Sequence, residues 1–469
     1  MVETAPPVLA ALLVAASIWM WLGVGPGVDL ALRVPQASEM SPRSPKAEKV
    51  DIEGFFASGE GKPAKLGGAW PGFRGKARDA VSSEGVPLVR TLADIQARQV
   101  WSIRLGEGYA GAAILNGRAY VLDYDQQVKA DTLRCLSLAD GKEIWRRGYY
   151  VQVKRNHGMS RTVPAVSQDY VVTIGPKCQV MCAQAEGGEF LWGVDMVGQY
   201  GTVVPDWYAG QCPLIDESKA IIAPAGNALM AALDCETGQV IWETPNPHGW
   251  RMTHSSIMPM DLAGEKTYVY CASGGVAGVS AADGRIVWEC PDWKVNMANA
   301  PSPVIVSGDR VFLCGGYGAG SMMIRISGDG EKFKAEELFR LSSEQFGSEQ
   351  QTPVLYEGHI YGVREDGQLV CLDLEGSVVW TSGRMNRFGR QGRGPLMIAD
   401  GMLIVLTGDG ELALVKASPS GFERLAAAKV LAEGESWAPM ALAGGMLIVR
   451  DLVTMACLDM RSVRPAGSP

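Results

Sequence analysis

The sequence predicts an all-β fold, an eight-bladed β-propeller of four-stranded blades that is closed by an N-terminal strand. The first observation is a Gly-x-x-x-Trp motif, whose successive Trp residues are 47, 50 and 46 residues apart, with a last gap of 92. A nearly fixed period of this length is typical of a repeat architecture, and the last gap fits two periods with one degenerate copy. The five copies end at Trp145, Trp192, Trp242, Trp288 and Trp380.

The third repeat shows the content of one unit most clearly. Three apolar runs of strand length, at 212–215, 220–222 and 229–233, precede a turn at 234–238, and a fourth run follows at 240–242. Asp and Thr in the turn bond the local backbone, and Gly supplies positive φ. No stretch of the repeat region keeps an apolar stripe with helical periodicity. Four short strands per unit predict one propeller blade.

A proline near the first strand of each unit gives the number of blades. Proline cannot donate a hydrogen bond to a strand ladder, so it belongs at the start or edge of a strand. Seven units carry it, and a further unit over 111–145 brings the total to eight. The seven prolines are Pro164, Pro213, Pro259, Pro303, Pro353, Pro395 and Pro439.

The last unit stops without a fourth strand. The run at 100–103, which contains Trp101, lies 44 residues before the first repeat Trp and supplies the missing strand. Pairing of this strand with the C-terminal strands would close the ring and remove its exposed edges. The sequence therefore predicts a propeller over 99–462, an extended segment leading into it over 68–98, and a short tail over 463–469.

The N-terminal region predicts a membrane anchor. Residues 8–24 form an apolar run at the short limit for a spanning helix, and no Lys or Arg precedes it as a signal peptide would require. We therefore expect an uncleaved single-pass anchor over 1–33. Residues 34–67, rich in Pro, Ser, Lys and Glu, predict a flexible linker. The Lys and Arg after the helix would, by charge alone, favour a cytoplasmic propeller.

Composition limits the classes of partner. A net charge of −8 disfavours a general nucleic-acid binder, because phosphate contact needs clustered Lys and Arg. Ten Cys are present, and four of them recur at one third-strand position, as expected of small buried hydrophobes rather than disulfides. The spacing does not decide their redox state. The four recurring residues are Cys135, Cys182, Cys371 and Cys457.

The repeat unit resembles a known family. The stretch Ala232-x-Asp234-x-x-Thr237-Gly238-x-x-x-Trp242 is similar to the tryptophan-docking repeat of the PQQ-like β-propellers, the superfamily of the quinoprotein alcohol dehydrogenases. The stretch Trp-Pro-Gly-Phe-Arg-Gly over 70–75 resembles the opening of membrane-anchored bacterial propellers of this superfamily. The resemblance covers about 68–462 and is specific for the fold. It implies a periplasmic propeller.

The resemblance and the physics of the indole ring give the repeat Trp residues a structural role. A Trp at the end of an outer strand packs flat against the neighbouring blade and buries a large apolar area. We therefore expect a set of Trp residues to join the blades, and not to form a site. These are Trp101, Trp145, Trp192, Trp242, Trp288 and Trp380.

The resemblance leaves three functions open. The superfamily includes BamB, the non-enzymatic lipoprotein of the outer-membrane β-barrel assembly machinery, which favours a non-catalytic protein-binding scaffold in the cell envelope. A PQQ-dependent dehydrogenase with Ca²⁺ is the first alternative, but the adjacent-Cys pair and the haem-binding motif of such enzymes are absent. Glu349 and Asn299 are candidate metal ligands for it. A sensor of a small ligand is the second alternative. We expect no cofactor, envelope proteins as partners and a monomeric propeller.

The residues just before the first strand of each unit are the candidate binding residues. If these strands line the axis, their preceding residues surround one mouth of the tunnel, and exposed aromatic, Arg and amide groups suit protein recognition. Arg387 and Arg390 lie close to one of them in sequence and favour an acidic partner. The alternative is that such residues only satisfy backbone groups at the strand starts. These rim residues are Tyr109, Arg161, Gln211, His254, Asn299, Gln350, Arg393 and Trp437.

Overall fold

The computed structural model describes residues 13–14, 16–19, 50–329, 332–389, 393–432 and 434–463. The chain divides into two units, Met1–Glu48 and Lys49–Pro469. In the first unit, residues 13–14 and 16–19 are helical. Most of the predicted anchor falls outside the described residues and stays a prediction. The part of the chain that the structure describes contains no helix with the length and hydrophobicity that crossing a bilayer requires.

Eight antiparallel four-stranded sheets follow one another along the second unit, as the repeats predict. Three strands precede the first complete sheet: β1 (Phe55–Ser58), β2 (Val81–Ser82) and β3 (Gln99–Arg104). Blade 1 contains β4 (Ala113–Leu115), β5 (Arg118–Asp125), β6 (Ala130–Ser137) and β7 (Glu143–Tyr150). Blade 2 contains β8 (Ala165–Val166), β9 (Tyr170–Ile174), β10 (Gln179–Gln184) and β11 (Phe190–Asp195). Blade 3 contains β12 (Leu214–Asp216), β13 (Lys219–Ile222), β14 (Ala228–Asp234) and β15 (Val240–Pro245).

The next three blades have the same order of strands. Blade 4 contains β16 (Met258–Leu262), β17 (Glu265–Ala272), β18 (Gly275–Ser280) and β19 (Ile286–Cys290). Blade 5 contains β20 (Val304–Ile305), β21 (Arg310–Gly315), β22 (Gly320–Asp329) and β23 (Lys332–Leu341). Blade 6 contains β24 (Val354–Tyr356), β25 (His359–Val363), β26 (Leu369–Leu372) and β27 (Val378–Thr381).

The last two blades complete the ring. Blade 7 contains β28 (Leu396–Ala399), β29 (Met402–Leu406), β30 (Glu411–Lys416) and β31 (Arg424–Lys429). Blade 8 contains β32 (Ala441–Ala443), β33 (Met446–Arg450) and β34 (Thr454–Asp459). Its fourth strand is β3, which pairs antiparallel with β34 and aligns Trp101 with Cys457. The predicted closure by an N-terminal strand is therefore confirmed. A 3-10 turn at Ile95–Arg98 and a one-turn helix at Met196–Tyr200 are short additions.

The second and third strands of the blades form the core. Every residue of β29 and β33 is buried, because neighbouring blades cover both faces of these strands. The outer strands differ, as β15 shows: Val240 and Ile241 are exposed while Trp242 is buried. Runs of consecutive apolar residues in the sequence, which do not alternate with polar ones, thus correspond to strands that are buried on both faces.

The repeat Trp residues lie where an outer strand meets the next blade. Five of them donate the indole N–H to a backbone carbonyl in the turn of the following blade; Trp192, for example, donates to Cys235 at 2.8 Å. The aligned residue in blade 5 is Phe339, which packs on Gly376, and in blade 7 it is Ala426. Trp288 is buried, but its N–H has no partner among the described residues. The turn that would supply one is replaced in blade 5 by a long hairpin.

The second half of the predicted flexible linker is ordered, which corrects that prediction for 50–67. Strand β1 adds a fifth strand to the outer edge of blade 1, where Phe55 aligns with Gly148 and Ser58 with Trp145. The Arg147 guanidinium lies 5.3 Å from the centre of the Phe56 ring and also donates to the Glu53 carbonyl. Composition could not reveal this, because the strand gains its order from an edge that the repeats supply. Residues 34–49 lie outside the described residues.

The segment before the propeller crosses the ring. Trp70 exchanges two backbone hydrogen bonds with Ile114 of blade 1, and the Pro71 carbonyl accepts from Val166 of blade 2. Arg74 then reaches the carbonyls of Thr352 and Pro353 in blade 6, which lies opposite blade 2, and β2 pairs parallel with β28 of blade 7. Residues 70–82 therefore lie across the axial tunnel, and we call them the plug.

All ten Cys lie among the described residues, where they are buried and free. Cys135, Cys182 and Cys371 each align with the repeat Trp of the same blade. This is the shared third-strand position that the sequence indicates, and it favours their interpretation as small apolar core residues.

Candidate functional site

The mouth of the axial tunnel opens into a cavity of about 490 Å³, which we call the axial cup. Its floor includes Phe73 of the plug, so the plug separates the cup from the far end of the tunnel. Six of the eight rim residues line the cup: Tyr109, Arg161, His254, Gln350, Arg393 and Trp437. Other lining residues are Trp207, Met297, Ala298, Ala300, Tyr317 and Glu435.

Four rim residues from adjacent blades form one continuous stack. The Tyr109 and Trp437 rings stack with their centres 4.9 Å apart. The Arg161 guanidinium lies 4.9 Å from the centre of the Tyr109 ring, and that of Arg393 lies 5.1 Å from the Trp437 ring. Each contact has the distance of a cation–π or aromatic pair. The stack forms one wall of the cup, contributed by blades 2, 1, 8 and 7.

Two carboxylates that the sequence analysis did not select as binding residues hold this wall in place. Glu435 accepts a hydrogen bond from the Tyr109 hydroxyl at 2.5 Å, and Glu349 pairs with the Arg393 Nε at 2.6 Å. Burial, and then Glu435, raises the pKa of Tyr109, so its hydroxyl stays protonated and donates. Gln351 adds a bridge, because its Nε2 donates to the carbonyls of Arg393 and Trp437. Glu435 and Gln351 follow no sequence motif, so the sequence does not indicate them, and it indicates Glu349 only as a candidate metal ligand.

Arg161 differs from Arg393 in its partners. Its Nη2 donates to the carbonyls of Asn156, His157 and Gly158, and no carboxylate pairs with it among the described residues. Its Nε is buried without a partner, and no described residue accepts a hydrogen bond from its Nη1. Burial lowers the pKa of Arg161 to about 10, which leaves it charged at neutral pH.

His254 contributes an uncharged wall next to this cation. Burial, and then the charge of Arg161, lowers the pKa of His254 to about 4. The imidazole is therefore neutral at physiological pH. Its ring lies against Gly210 and 6.4 Å from the centre of the Trp207 ring.

Two rim residues do not face the cup. The Gln211 amide turns onto β13, where Nε2 donates to the Ala223 carbonyl and Oε1 accepts from the Ala223 N–H. Asn299 is buried, and neither side-chain polar atom has a partner among the described residues. For Gln211 the structure agrees with the alternative reading, a residue that satisfies backbone groups. Of the clustered arginines, Arg387 is exposed and Arg390 lies outside the described residues.

Three residues around the cup have backbone angles that favour glycine. His157, Tyr317 and Glu435 have φ of 52°, 57° and 62°. Such left-handed conformations cost energy in residues with a side chain, and they tend to cluster at functional sites. Here they belong to the loops that set the shape of the mouth.

The donors of the cup do not fit the Ca²⁺ of a quinoprotein site. A hard cation of this kind takes six or more oxygen ligands, drawn from carboxylates, carbonyls and waters. The described residues contain no group of three or more His, Cys, Asp or Glu that could hold a metal. Glu435 lines the cup and accepts from Tyr109, while Glu349 pairs with Arg393 and is not among the lining residues. Asn299, the other candidate ligand, does not line the cup.

Comparisons with known proteins agree on the fold. The sequence profile of the family described as outer membrane protein assembly factor BamB matches residues 129–382, more than half of the chain. No curated protein sequence matches significantly. Among solved structures, BamB from Moraxella catarrhalis is similar with a TM-score of 0.54 and 14% identity, over 77% of this chain and 99% of that chain.

Two further structures show how widely the fold is used. A europium-containing methanol dehydrogenase is similar with a TM-score of 0.55 and 13% identity, over 82% of this chain and 89% of that chain. A computationally designed protein, Ika8, is similar with a TM-score of 0.52 and 10% identity, over 77% of this chain and 99% of that chain. At these identities the likeness concerns the fold alone, and function has to be argued from the site.

Proposed function

The chain belongs to the family described as outer membrane protein assembly factor BamB, and from this premise we propose that it is a non-catalytic, membrane-anchored β-propeller of the cell envelope that binds a partner protein in its axial cup. The observation that carries the proposal is the wall formed by Arg161, Tyr109, Trp437 and Arg393. Aromatic and Arg side chains supply most of the binding energy in protein interfaces, and a rigid wall reduces the entropy lost on binding.

The rest of the cup is consistent with a protein segment as ligand. Met297 lines the mouth and is 61% exposed, so its apolar side chain is accessible to a ligand. Trp207, Ala298 and Ala300 extend this apolar side opposite the Arg-bearing wall. A flexible Met beside rigid aromatic rings is a frequent arrangement at surfaces that accept peptide side chains.

The dehydrogenase alternative has weaker support. It rests on the fold shared with the europium-containing methanol dehydrogenase, and the donors of the cup do not fit a Ca²⁺ site. The sensor alternative rests on the cup volume of about 490 Å³, which lies in the range of small-molecule pockets. Both alternatives are outcomes of the experiment below.

The test places a photo-crosslinking amino acid at Met297 in the full-length protein, in membranes of the source organism. We expect one protein to be crosslinked in high yield and identified by mass spectrometry. Ala298→Trp, which fills the cup without changing a charge, should abolish the crosslink. Ala282→Trp adds the same side chain at an exposed turn of blade 4 and should leave it intact.

Equal crosslinking in the two Trp variants would overturn the proposal. So would a cup that crosslinks to no protein. In that case native mass spectrometry of the purified protein separates the alternatives, because a retained small molecule supports the sensor. Tight binding of added PQQ with Ca²⁺, again lost in Ala298→Trp, supports the dehydrogenase.

A further inference from the structure

The cup contains one cation whose charge no described residue neutralises by contact. Arg393 is paired with Glu349, whereas Arg161 donates only to backbone carbonyls, and its Nη1 has no partner among the described residues. That nitrogen is not among the buried polar atoms, and Arg161 lines the cup. A guanidinium with a free N–H facing a cavity is a site for an anionic oxygen.

The same wall disfavours a cationic ligand. The Tyr109 and Trp437 rings cover each other, and Arg161 and Arg393 cover their other faces. No ring face of this pair is left for an ammonium group. Glu435, which also lines the cup, accepts the Tyr109 hydroxyl through Oε2 and keeps Oε1 as an acceptor. The lining residues include two cations, Arg161 and Arg393, and one carboxylate, Glu435, so the cup favours an anionic group. A carboxylate is the anion that a protein chain carries at its end.

The far half of the tunnel already holds a peptide, the plug. Arg74 of the plug donates to the carbonyls of Thr352 and Pro353 of blade 6, both at 2.8 Å, and Arg78 donates to Pro213 of blade 3. Residues just before two inner strands thus accept side chains of a turn-rich segment, although Nε and Nη2 of Arg78 have no partner among the described residues. Because the plug closes the tunnel below the cup, a second segment can enter only from the mouth. A chain end fits such a blind cavity better than a chain that passes through.

The wall opposite Arg161 offers a group that suits a peptide bond. Gln350 belongs to blade 6, half a turn of the eight-bladed ring from blade 2, which carries Arg161. The Gln350 side-chain amide lines the cup and has no hydrogen-bond partner among the described residues. A carboxamide both donates and accepts, as a peptide group does.

We propose that the axial cup captures the carboxyl terminus of a partner chain, with the terminal carboxylate on Arg161, a peptide group on Gln350 and the last side chain against Met297 and Phe73. This rests on the proposed function and names the part of the partner that the cup recognises. Capture of a chain end by an Arg in a closed pocket distinguishes the end from an internal peptide group, which has one carbonyl oxygen and no charge.

The probe is the tripeptide acetyl-Ala-Ala-Phe with a free carboxylate, compared with the same peptide as its C-terminal amide. Calorimetry on the purified full chain measures binding, and the ring proton signals of His254 report occupancy of the cup. Only four His are present, and His254→Gln assigns the signals. We expect the acid to bind at least about tenfold more tightly than the amide, since the amide loses a charge-assisted pair.

Variants separate the roles of the two anchors. Arg161→Gln should remove the preference for the acid, and Arg161→Lys should restore part of it because the charge returns. The matched control is Arg155→Gln, an exposed residue of the same loop that pairs with Glu107, and it should leave the preference unchanged. Gln350→Ala should weaken binding of the tripeptide but not binding of 3-phenylpropanoate, a free acid that has the same ring and no peptide group.

Three results would overturn the inference: equal binding of acid and amide, a preference that survives Arg161→Gln, or no binding of the acid at millimolar concentration. Binding of 3-phenylpropanoate as tight as that of the tripeptide, with no effect of Gln350→Ala, would assign the cup to free organic acids instead. If a partner is crosslinked only when the cup is open, and the acid and the amide bind equally, the partner binds the cup by some part other than its carboxyl terminus. The proposed function then stands, and only the capture of a terminus is wrong.

Discussion

Tyr109 and Trp437 stack with their ring centres 4.9 Å apart and 25° between the ring planes, although 328 positions separate them in the chain. Tyr109 precedes the first blade and Trp437 the last, so the stack joins the two ends of the ring at the axis. The pairing of β3 with β34 joins them at the outer edge. The candidate binding wall is therefore also a closure of the ring, and ligand binding there would stabilise the closed propeller.

Gly238 is needed because an indole lies against it. Its φ is +71°, and a Cβ there would come 2.6 Å from Cγ of Trp192 of the preceding blade. We expect Gly238→Ala to lower the free energy of unfolding by about 3 kcal/mol, since backbone strain and overpacking act together. Urea unfolding followed by Trp fluorescence measures the change.

Gly249→Ala is the control for this substitution. Gly249 has a similar φ of +61°, but nothing lies near the position that a Cβ would occupy. Gly249→Ala should lower the free energy of unfolding by about 1 kcal/mol, because it adds only backbone strain. Equal losses in the two variants would contradict the docking role of Trp192.

The repeats made the ring predictable from the sequence. Each Gly-x-x-x-Trp turn is a local signal, and the prolines mark the inner strands, so the positions just before them could be assigned to one mouth. The direction of each side chain could not be assigned in this way. Gln211 turns to Ala223 and Arg161 to the cup because of the local loop geometry, which the period does not encode.

The plug and β1 could not be predicted, because both lie outside the repeats and take their order from the propeller. Phe73 and Arg74 carry no periodic signal, and only the resemblance of the 70–75 stretch singled them out. Strand β1 lies in a stretch with the composition of a linker and pairs with an edge that exists only after blade 1 has folded. Glu349 and Glu435 lie in loops, where residue type alone does not give a partner.

Arg74 fixes the plug across the tunnel. It is 7% exposed and donates to four backbone carbonyls, those of Arg78, Asp79, Thr352 and Pro353. We expect Arg74→Met to lower the free energy of unfolding by about 3 kcal/mol, because four buried acceptors lose their donor while the cost of burying the cation is relieved. Trypsin should also cut the variant faster after Lys76 and Arg78, as gel analysis of timed digests will show.

Lys76→Met serves as the comparison, since Lys76 belongs to the same segment but is exposed. It should change stability by less than about 0.5 kcal/mol. If Arg74→Met unfolded like Lys76→Met, the plug would not depend on the buried guanidinium.

The cysteines should be unreactive in the native protein. All ten are buried and free, and burial raises the pKa of Cys135 and of Cys314 to about 12. Thiol chemistry needs an accessible thiolate, and these residues offer neither access nor charge. Titration with Ellman's reagent should give no reaction in buffer and ten thiols in guanidinium. A thiol that reacts rapidly before unfolding would show that one blade opens locally.

Asp131 should make stability depend on pH near neutrality. It is fully buried in blade 1 and accepts hydrogen bonds from the hydroxyls of Tyr149 at 3.0 Å and Ser160 at 3.1 Å. Burial raises its pKa to about 7, and the two hydroxyls oppose that rise. The folded state therefore binds the proton more tightly than the unfolded state does. The stabilisation is complete below about pH 4 and is lost as the pH rises through 7.

Asp131→Asn tests this, because the amide imitates the protonated acid and does not titrate. We expect the free energy of unfolding of the wild type, relative to the variant, to fall by up to about 1.4 kcal/mol per pH unit between pH 4 and 7. Asp125→Asn, an exposed change in the same blade, should run parallel to the wild type. Urea unfolding at pH 5, 6, 7 and 8 measures all three proteins. A constant difference in the free energy of unfolding between wild type and Asp131→Asn would mean that Asp131 is ionised throughout.

Loss of the Asp131 proton should also affect the cup, because Ser160, which bonds to Asp131, adjoins Arg161. We expect it to loosen the wall of the cup, so that the tripeptide binds more weakly at pH 8 than at pH 6.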